Sequence, residues 1–231
     1  MTDPTVLDNI PFAIDVDRLA RKLHIQDQPG YAERAAQLAR QAEAVARPRG
    51  LYRIAYIEAK GDDTVVIEGV TLTSRVLRVN LEQAHRVVPF VATCGRELQE
   101  WAAAITDMLE QFWADTILEM AVRTAWEAVR THITDHVQPG PTSIMNPGSL
   151  PDWPIEEQRP LFTLLGNVRD LVGVELTDSF LMVPIKSVSG ISFPTEVSFE
   201  NCQLCPRERC PGRRAPYDPD LYESRYLQQP E

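Results

Sequence analysis

The sequence predicts an α+β fold, a twisted antiparallel sheet flanked by helices, one of them long. Three observations carry that expectation. The runs "LYRIAYIEAK" and "TVVIEGV" are rich in β-branched and aromatic residues, and the "GDD" between them is a hairpin signal. One helical stretch runs without a breaker from about Asp107 to about Val137. Strands and helices elsewhere do not alternate in the regular βαβ units that a parallel sheet requires.

Each element follows in order. "VLDNIPFAID" reads as a short strand or extended arm. "DVDRLARKL" and "YAERAAQLARQAEAVA" have helical spacing, the second with Ala35, Leu38, Ala39, Ala42 and Val45 on one face; "PRG" ends it. "LTSRVLRVNL" reads as a third strand after the hairpin. "RVVPFVAT" reads as a buried strand, and "CGRELQEWAAAI" opens a helix at its end. The long helix places Leu109, Phe112, Trp113, Thr116, Ile117, Met120, Ala121 and Thr124 in one stripe, and "QPGPTS" stops it. The loop "IMNPGSLPDWP" leads to a short helix, "IEEQRPLFTLLG". "DSFLMVPIKSVSGISF" reads as paired strands. From Pro211 on, the polar, proline-rich chain reads as an arm. Residues 1–48 are then an N-terminal strand and helices packing on the core, 49–200 an α+β core, and 201–231 a cysteine-rich segment and polar arm, all in one compact domain.

The chain has 231 residues, 44% of them apolar, enough for one sizeable core. Its net charge of −10 repels phosphate backbones and anionic lipid, so neither nucleic acid nor membrane is an expected partner. "MTDPTVLDNIPF" has neither the basic start nor the apolar stretch of a signal peptide, and a soluble, cytoplasmic protein is expected. Thiols in that compartment stay reduced, which favours metal over disulfide where cysteines cluster.

They do cluster. "NCQLCPRERCPGRR" holds Cys202, Cys205 and Cys210, three of the four cysteines in the chain. Cys-x2-Cys-x4-Cys puts three soft ligands in one loop, and the nearby Arg207, Arg209, Arg213 and Arg214 would offset thiolate charge. The remaining cysteine, Cys94, falls at a predicted strand-to-helix junction, where first-turn N–H groups favour a thiolate, and is the candidate fourth ligand. Four thiolates suit zinc and a [4Fe-4S] cluster alike.

Other candidates are weaker. His132 and His136 stand four apart on the long helix but lack the glutamate of a HExxH site, and read as a surface pair. Asp152, Glu156 and Glu157 read as helix-capping acids, and Trp153, between prolines, as a loop anchor. "NPGS" is a turn signal, with Pro147 setting φ and Gly148 allowing a positive φ. "SVSG" offers two hydroxyls and a glycine where backbone can approach a ligand, with Lys186 the nearest cation. No P-loop, dinucleotide fingerprint or nucleophile–histidine–acid set occurs, and no catalytic residue is assigned.

"LTDSFLMVPIKSVSGISF" resembles the activation domain of cobalamin-dependent methionine synthase. The shared frame is Leu176, Thr177, Ser179, Phe180, Met182, Pro184, Ser187, Val188, Ser189 and Gly190. "NPGSLPDWPIEEQRPLFTLLG", "VGVEL" and "FVATCGREL" are similar to further segments of that domain in the same order, so the resemblance spans about Val87 to Phe193. It implies the activation-domain fold, in a stand-alone relative of the kind found beside corrinoid methyltransferases. The family domain binds S-adenosylmethionine and docks over a cobalamin, so that cob(II)alamin, once reduced by one electron, is trapped by methylation.

Carried over by position, the adenosylmethionine loop is Asn146, Pro147, Gly148 and Ser149, with Lys186, Ser187, Ser189 and Gly190 on the strand beside it. The family's carboxylate-holding arginine falls at Ile144 and its tyrosine at Ser149; an apolar side chain cannot make a guanidinium's bidentate contact. The implied partners are a corrinoid protein or corrinoid methyltransferase and an electron donor protein. Because Co(II) must be reduced and zinc does no redox work, the resemblance favours an iron–sulfur cluster at the four cysteines, assisting reductive reactivation. The alternatives are an S-adenosylmethionine-binding methyl donor to the corrinoid and a zinc-stapled interaction module.

Overall fold

The computed structural model describes residues 2–196 and 198–227. In chain order, β1 (Thr5–Leu7) leads to α1 (Val16–Leu23) and α2 (Pro29–Val45). Then come β2 (Arg49–Tyr52), β3 (Ala55–Lys60), β4 (Thr64–Ile67), β5 (Val70–Thr73), α3 (Arg75–Asn80) and β6 (Arg86–Thr93). After these follow α4 (Arg96–Ala103), α5 (Met108–His136), β7 (Thr142–Met145), α6 (Gln158–Leu165), α7 (Val168–Val172), β8 (Glu175–Leu176), β9 (Met182–Val183) and β10 (Ser187–Pro194). The architecture is the expected mixture: a curled antiparallel sheet flanked by helices.

β6 is the axis of the sheet, buried from Val87 to Thr93 as its continuous apolar run requires. β10 lies antiparallel along one side, with Ser187 opposite Thr93 and Ser192 opposite Val88, and β7 pairs with the far edge of β10. The other side of β6 is shared: β2 pairs with Phe90–Thr93 and β3 with residues 86–87. The run read as one strand, "LYRIAYIEAK", is therefore two. The break at Arg53 faces Pro89, whose carbonyl accepts the Arg53 N–H at 3.2 Å but which has no N–H to return. β3, β4 and β5 extend the sheet as a meander, and the β3–β4 hairpin matches its sequence signal.

Two other strand expectations are corrected. "LTSRVLRVNL" is a strand only through Thr73. The Ser74 hydroxyl then accepts the Leu77 N–H at 2.9 Å and starts α3 as its N-cap. "DSFLMVPIKSVSGISF" contains two strands that do not pair with each other: β9 pairs with β8, and β10 with β6 and β7.

The long helix is present within a residue of its expected ends, with Asp107 capping it through the Glu110 N–H at 2.9 Å. Its buried face is rotated from the expected stripe. Trp113, Ala114, Ile117, Leu118, Ala121, Ala125, Val129 and Ile133 are buried, while Phe112 is 61% exposed and Leu109 43%. Its first half turns Trp113, Ile117, Leu118 and Ala121 onto the helical core, and its second half lays Ala125, Val129 and Ile133 on β2 and β6, so close that any Cβ at Gly50 would stand 2.1 Å from Val129 Cγ2.

The core has three parts. One lies between the sheet and α3, α6 and α7; a second joins α1, α2, α4 and the first half of α5; a third packs the second half of α5 on β2 and β6. The expected C-terminal arm is instead docked. Tyr226 is fully buried in the first cluster, its hydroxyl donates to Asn80 Oδ1 at 3.1 Å, and Arg75 Nε donates to its carbonyl at 2.8 Å. Among the described residues no helix is long and apolar enough to cross a membrane.

Candidate functional site

The loop after β7 and the strand β10 do come together. Gly148 takes the positive φ (80°) that the turn signal requires, and its N–H donates to the Trp153 carbonyl at 2.8 Å. Pro147 is buried, whereas Gly148 and Ser149 are exposed at the tip. Asn146 reaches across to β10, its Nδ2 donating to the Ser189 carbonyl at 2.7 Å. The Ser189 hydroxyl turns the other way and donates to Gln158 Oε1 of α6 at 2.7 Å.

The glycine of "SVSG" stands where β7 and Asn146 approach β10 closely. A Cβ at Gly190 would lie 2.5 Å from the Met145 carbonyl oxygen and 2.6 Å from Asn146 Nδ2. Gly190 thus leaves room for the Met145 carbonyl of the paired strand β7 and for the Asn146 side chain. Lys186 and Ser187 sit at the other end of β10. Lys186 Nζ pairs with Asp115 at 3.0 Å, and the Ser187 hydroxyl donates to the Pro184 carbonyl at 2.7 Å. The structure therefore groups Asn146 with Ser189 and Gly190, and keeps Lys186 and Ser187 apart from them. Ile144, on β7, is bridged to Glu200 and lies opposite Ser192.

The acids flanking the loop bind backbone, though not the helix that follows them. Asp152 Oδ2 accepts the Val76 N–H at 3.0 Å and the Ser74 hydroxyl, at the start of α3. Glu157 accepts the Thr73 N–H at 2.9 Å and Trp153 Nε1 at 3.3 Å. Trp153 is fully buried and anchors the loop, as its setting between prolines suggests.

The four cysteines do not form one set. Cys94, the residue after β6, faces the helical core of α1, α2, α4 and α5, while Cys205 packs against the sheet's other cluster. Burial pushes the Cys94 thiol up to about 12, outweighing a backbone hydrogen bond and the nearby Lys186 charge, and its S–H is directed at the Gly95 carbonyl at 3.5 Å. Cys202, Cys205 and Cys210 are half-buried in the tail loop. Among the described residues, no group of three or more His, Cys, Asp or Glu side chains is placed to hold a metal ion. The structure does not bring together the four cysteines expected to hold zinc or an iron–sulfur cluster: Cys94 and Cys205 pack in separate clusters.

Arginine organises the tail loop instead. Arg213 Nη1 donates to the carbonyls of Cys202 at 3.1 Å and Ala215 at 3.3 Å, and Nη2 to those of Cys205 at 3.3 Å and Arg207. The Arg214 N–H points at Cys202 Sγ at 3.4 Å, and its guanidinium pairs with Glu200 at 3.0 Å. Arg213, expected to offset thiolate charge, is bonded to backbone carbonyls, and the buried Asn201, which donates to Asn146 Oδ1 at 3.4 Å, was not singled out by the sequence. A polar side chain satisfied by distant backbone leaves no local pattern.

Residues 101–201 match the family model described as vitamin B12 dependent methionine synthase, activation domain. Among solved structures, the crystal structure of the MetH reactivation domain bound to AdoHcy is similar, with a TM-score of 0.67 at 16% identity, covering 86% of this chain and 80% of that chain. No curated protein matches. The matched family span takes in α5, the Asn146–Ser149 loop, α6 and all of β10, and ends at Asn201.

Proposed function

We propose that this chain, a relative of the vitamin B12-dependent methionine synthase activation domain, is an accessory protein that docks on a corrinoid protein and assists its reductive reactivation. The observation that carries the reading is the coincidence of two matches. The family model covers the loop and strand that the sequence frame singles out, and the reactivation-domain fold extends over most of the chain. In that reaction a separate donor protein gives one electron to Co(II). The resulting Co(I) takes the methyl group of S-adenosylmethionine, leaving a methyl–Co(III) bond and S-adenosylhomocysteine.

The chain's own part is to present the exposed Gly148–Ser149 tip, held by Asn146 on β10 and by Trp153 below, to ligand and partner. Because Cys94 and Cys205 pack in separate clusters, no electron step is assigned to an iron–sulfur cluster. Cys202, Cys205 and Cys210 remain the residues to which any iron or zinc found in the anaerobically purified protein would be traced.

The second reading, an S-adenosylmethionine-binding methyl donor, is favoured by the AdoHcy held in the similar structure. It is opposed by Ile144, which offers no charge to the ligand carboxylate. Two experiments separate the readings. Co-migration with a corrinoid protein in the Co(II) state tests docking, and failure to co-migrate overturns the accessory role. Calorimetry with AdoHcy tests the ligand: heat that Gly148→Val abolishes supports direct binding, and no heat at about millimolar ligand removes it.

A further inference from the structure

The cations around β8, β9 and β10 are spoken for, with one exception. Arg96 and Arg169 pair with Glu175, and Lys186 with Asp115. Arg159, exposed in the first turn of α6, has no ion pair among the described residues. Its guanidinium carbon lies over the ring of Phe180 instead, 5.1 Å from the centroid. Phe180 takes a positive φ of 62°, a conformation that bulky side chains avoid. The turn between β8 and β9 imposes it. Thr177 N–H donates to the Leu181 carbonyl at 2.8 Å, Phe180 N–H to the Thr177 carbonyl at 3.0 Å, and Leu181 N–H to Thr177 Oγ1 at 3.1 Å. The ring is thus fixed where the guanidinium rests on it.

The same stretch of chain borders the loop after β7. A Cβ at Gly148 would lie 2.8 Å from Ile155 Cδ1, and Arg159 follows Ile155 by four residues, about one helical turn. Gln158, beside Arg159, holds the Ser189 hydroxyl of β10. We propose that Arg159 receives the carboxylate of an S-adenosyl amino acid bound at the Gly148–Ser149 tip. The inference rests on the second reading above and supplies the charge that Ile144 lacks. Contact with the ring uses one face of the guanidinium and leaves its N–H edges for a bidentate carboxylate pair. Phe180 also orients the group before the ligand arrives, so less side-chain freedom is lost on binding. No acid has to release the guanidinium first.

The test is calorimetry on the full chain and on Arg159→Gln with two ligands. AdoHcy carries the amino-acid carboxylate; 5′-methylthioadenosine has the same nucleoside and a thioether but no amino-acid end. In Arg159→Gln, AdoHcy should bind at least about tenfold more weakly, or about 1.4 kcal/mol, with far-ultraviolet circular dichroism unchanged. Affinity for 5′-methylthioadenosine should be the same in both proteins. Equal AdoHcy affinity in the two proteins, or an equal loss for both ligands, overturns the role of Arg159 and leaves the ligand reading standing. No heat from AdoHcy with the parent chain at about millimolar ligand overturns both.

Discussion

Cys94 and Cys205 carry the same thiol in opposite surroundings. Cys94 closes the central strand, faces a core of leucine, alanine and tryptophan, and is held neutral by burial. Cys205 lies half-buried in a loop whose backbone carbonyls are gathered by Arg213. Spacing in sequence made the two equivalent as ligands, but solvation separates them. A thiolate needs water, a cation or a donor beside it, and a strand end beneath four helices supplies too little of any.

Substitutions and pH sharpen that contrast. The largest effect is expected from placing a charge at each position. Cys94→Asp should cost about 4 kcal/mol or more in urea unfolding, because a carboxylate there has no partner. Cys202→Asp should cost less than about 1 kcal/mol; equal losses would break the comparison.

Alkaline unfolding comes next. The unfolded thiol ionises near its ordinary 9.0, whereas the folded one keeps its proton until about 12. The folded state then binds more protons in this window. The contribution of Cys94 is therefore full below pH 9 and lost as pH rises toward 12, on the order of 1 kcal/mol per pH unit. Comparing the parent chain with Cys94→Ala isolates that slope, and identical alkaline profiles would contradict it.

Arg213→Ala should destabilise by about 1–2 kcal/mol and speed protease cleavage between Cys202 and Ala215, since four carbonyls lose their donor. Arg213→Lys should not restore protection, because one ammonium cannot replace the planar fork. The smallest effect is on stability after alkylation. The three tail thiols should react with iodoacetamide in the native state with less than about 0.5 kcal/mol lost. Cys94 should react only after unfolding.

Local pattern carried the parts of the fold that local pattern fixes. The long helix, the β3–β4 hairpin, the buried strand at Val87–Thr93 and the turn at Gly148 were legible because caps, turn residues and apolar runs encode them. The face of α5 was not, because its two halves pack on different partners and Gly50 matters only once helix and sheet meet. The strand after the hairpin ended early because Ser74 reads as a cap only beside a helix of unknown start. In the candidate site, the loop and β10 were found through a family frame. The packing of Met145 and Asn146 against Gly190, and of Asp152 on a helix seventy-odd residues earlier in the chain, is long-range and left no local pattern. The docked tail was missed because Tyr222 and Tyr226 follow a polar, proline-rich run whose composition hides them.

The most direct measurement is a single-turnover reaction. A corrinoid protein held as Co(II) is mixed with an electron donor and S-adenosylmethionine, with and without this protein, and methyl–Co(III) is followed by its visible absorption. The account predicts that methyl–Co(III) forms faster with the protein present, and that the Cys94→Ala protein still accelerates it. A rate that does not change when the protein is added would contradict it.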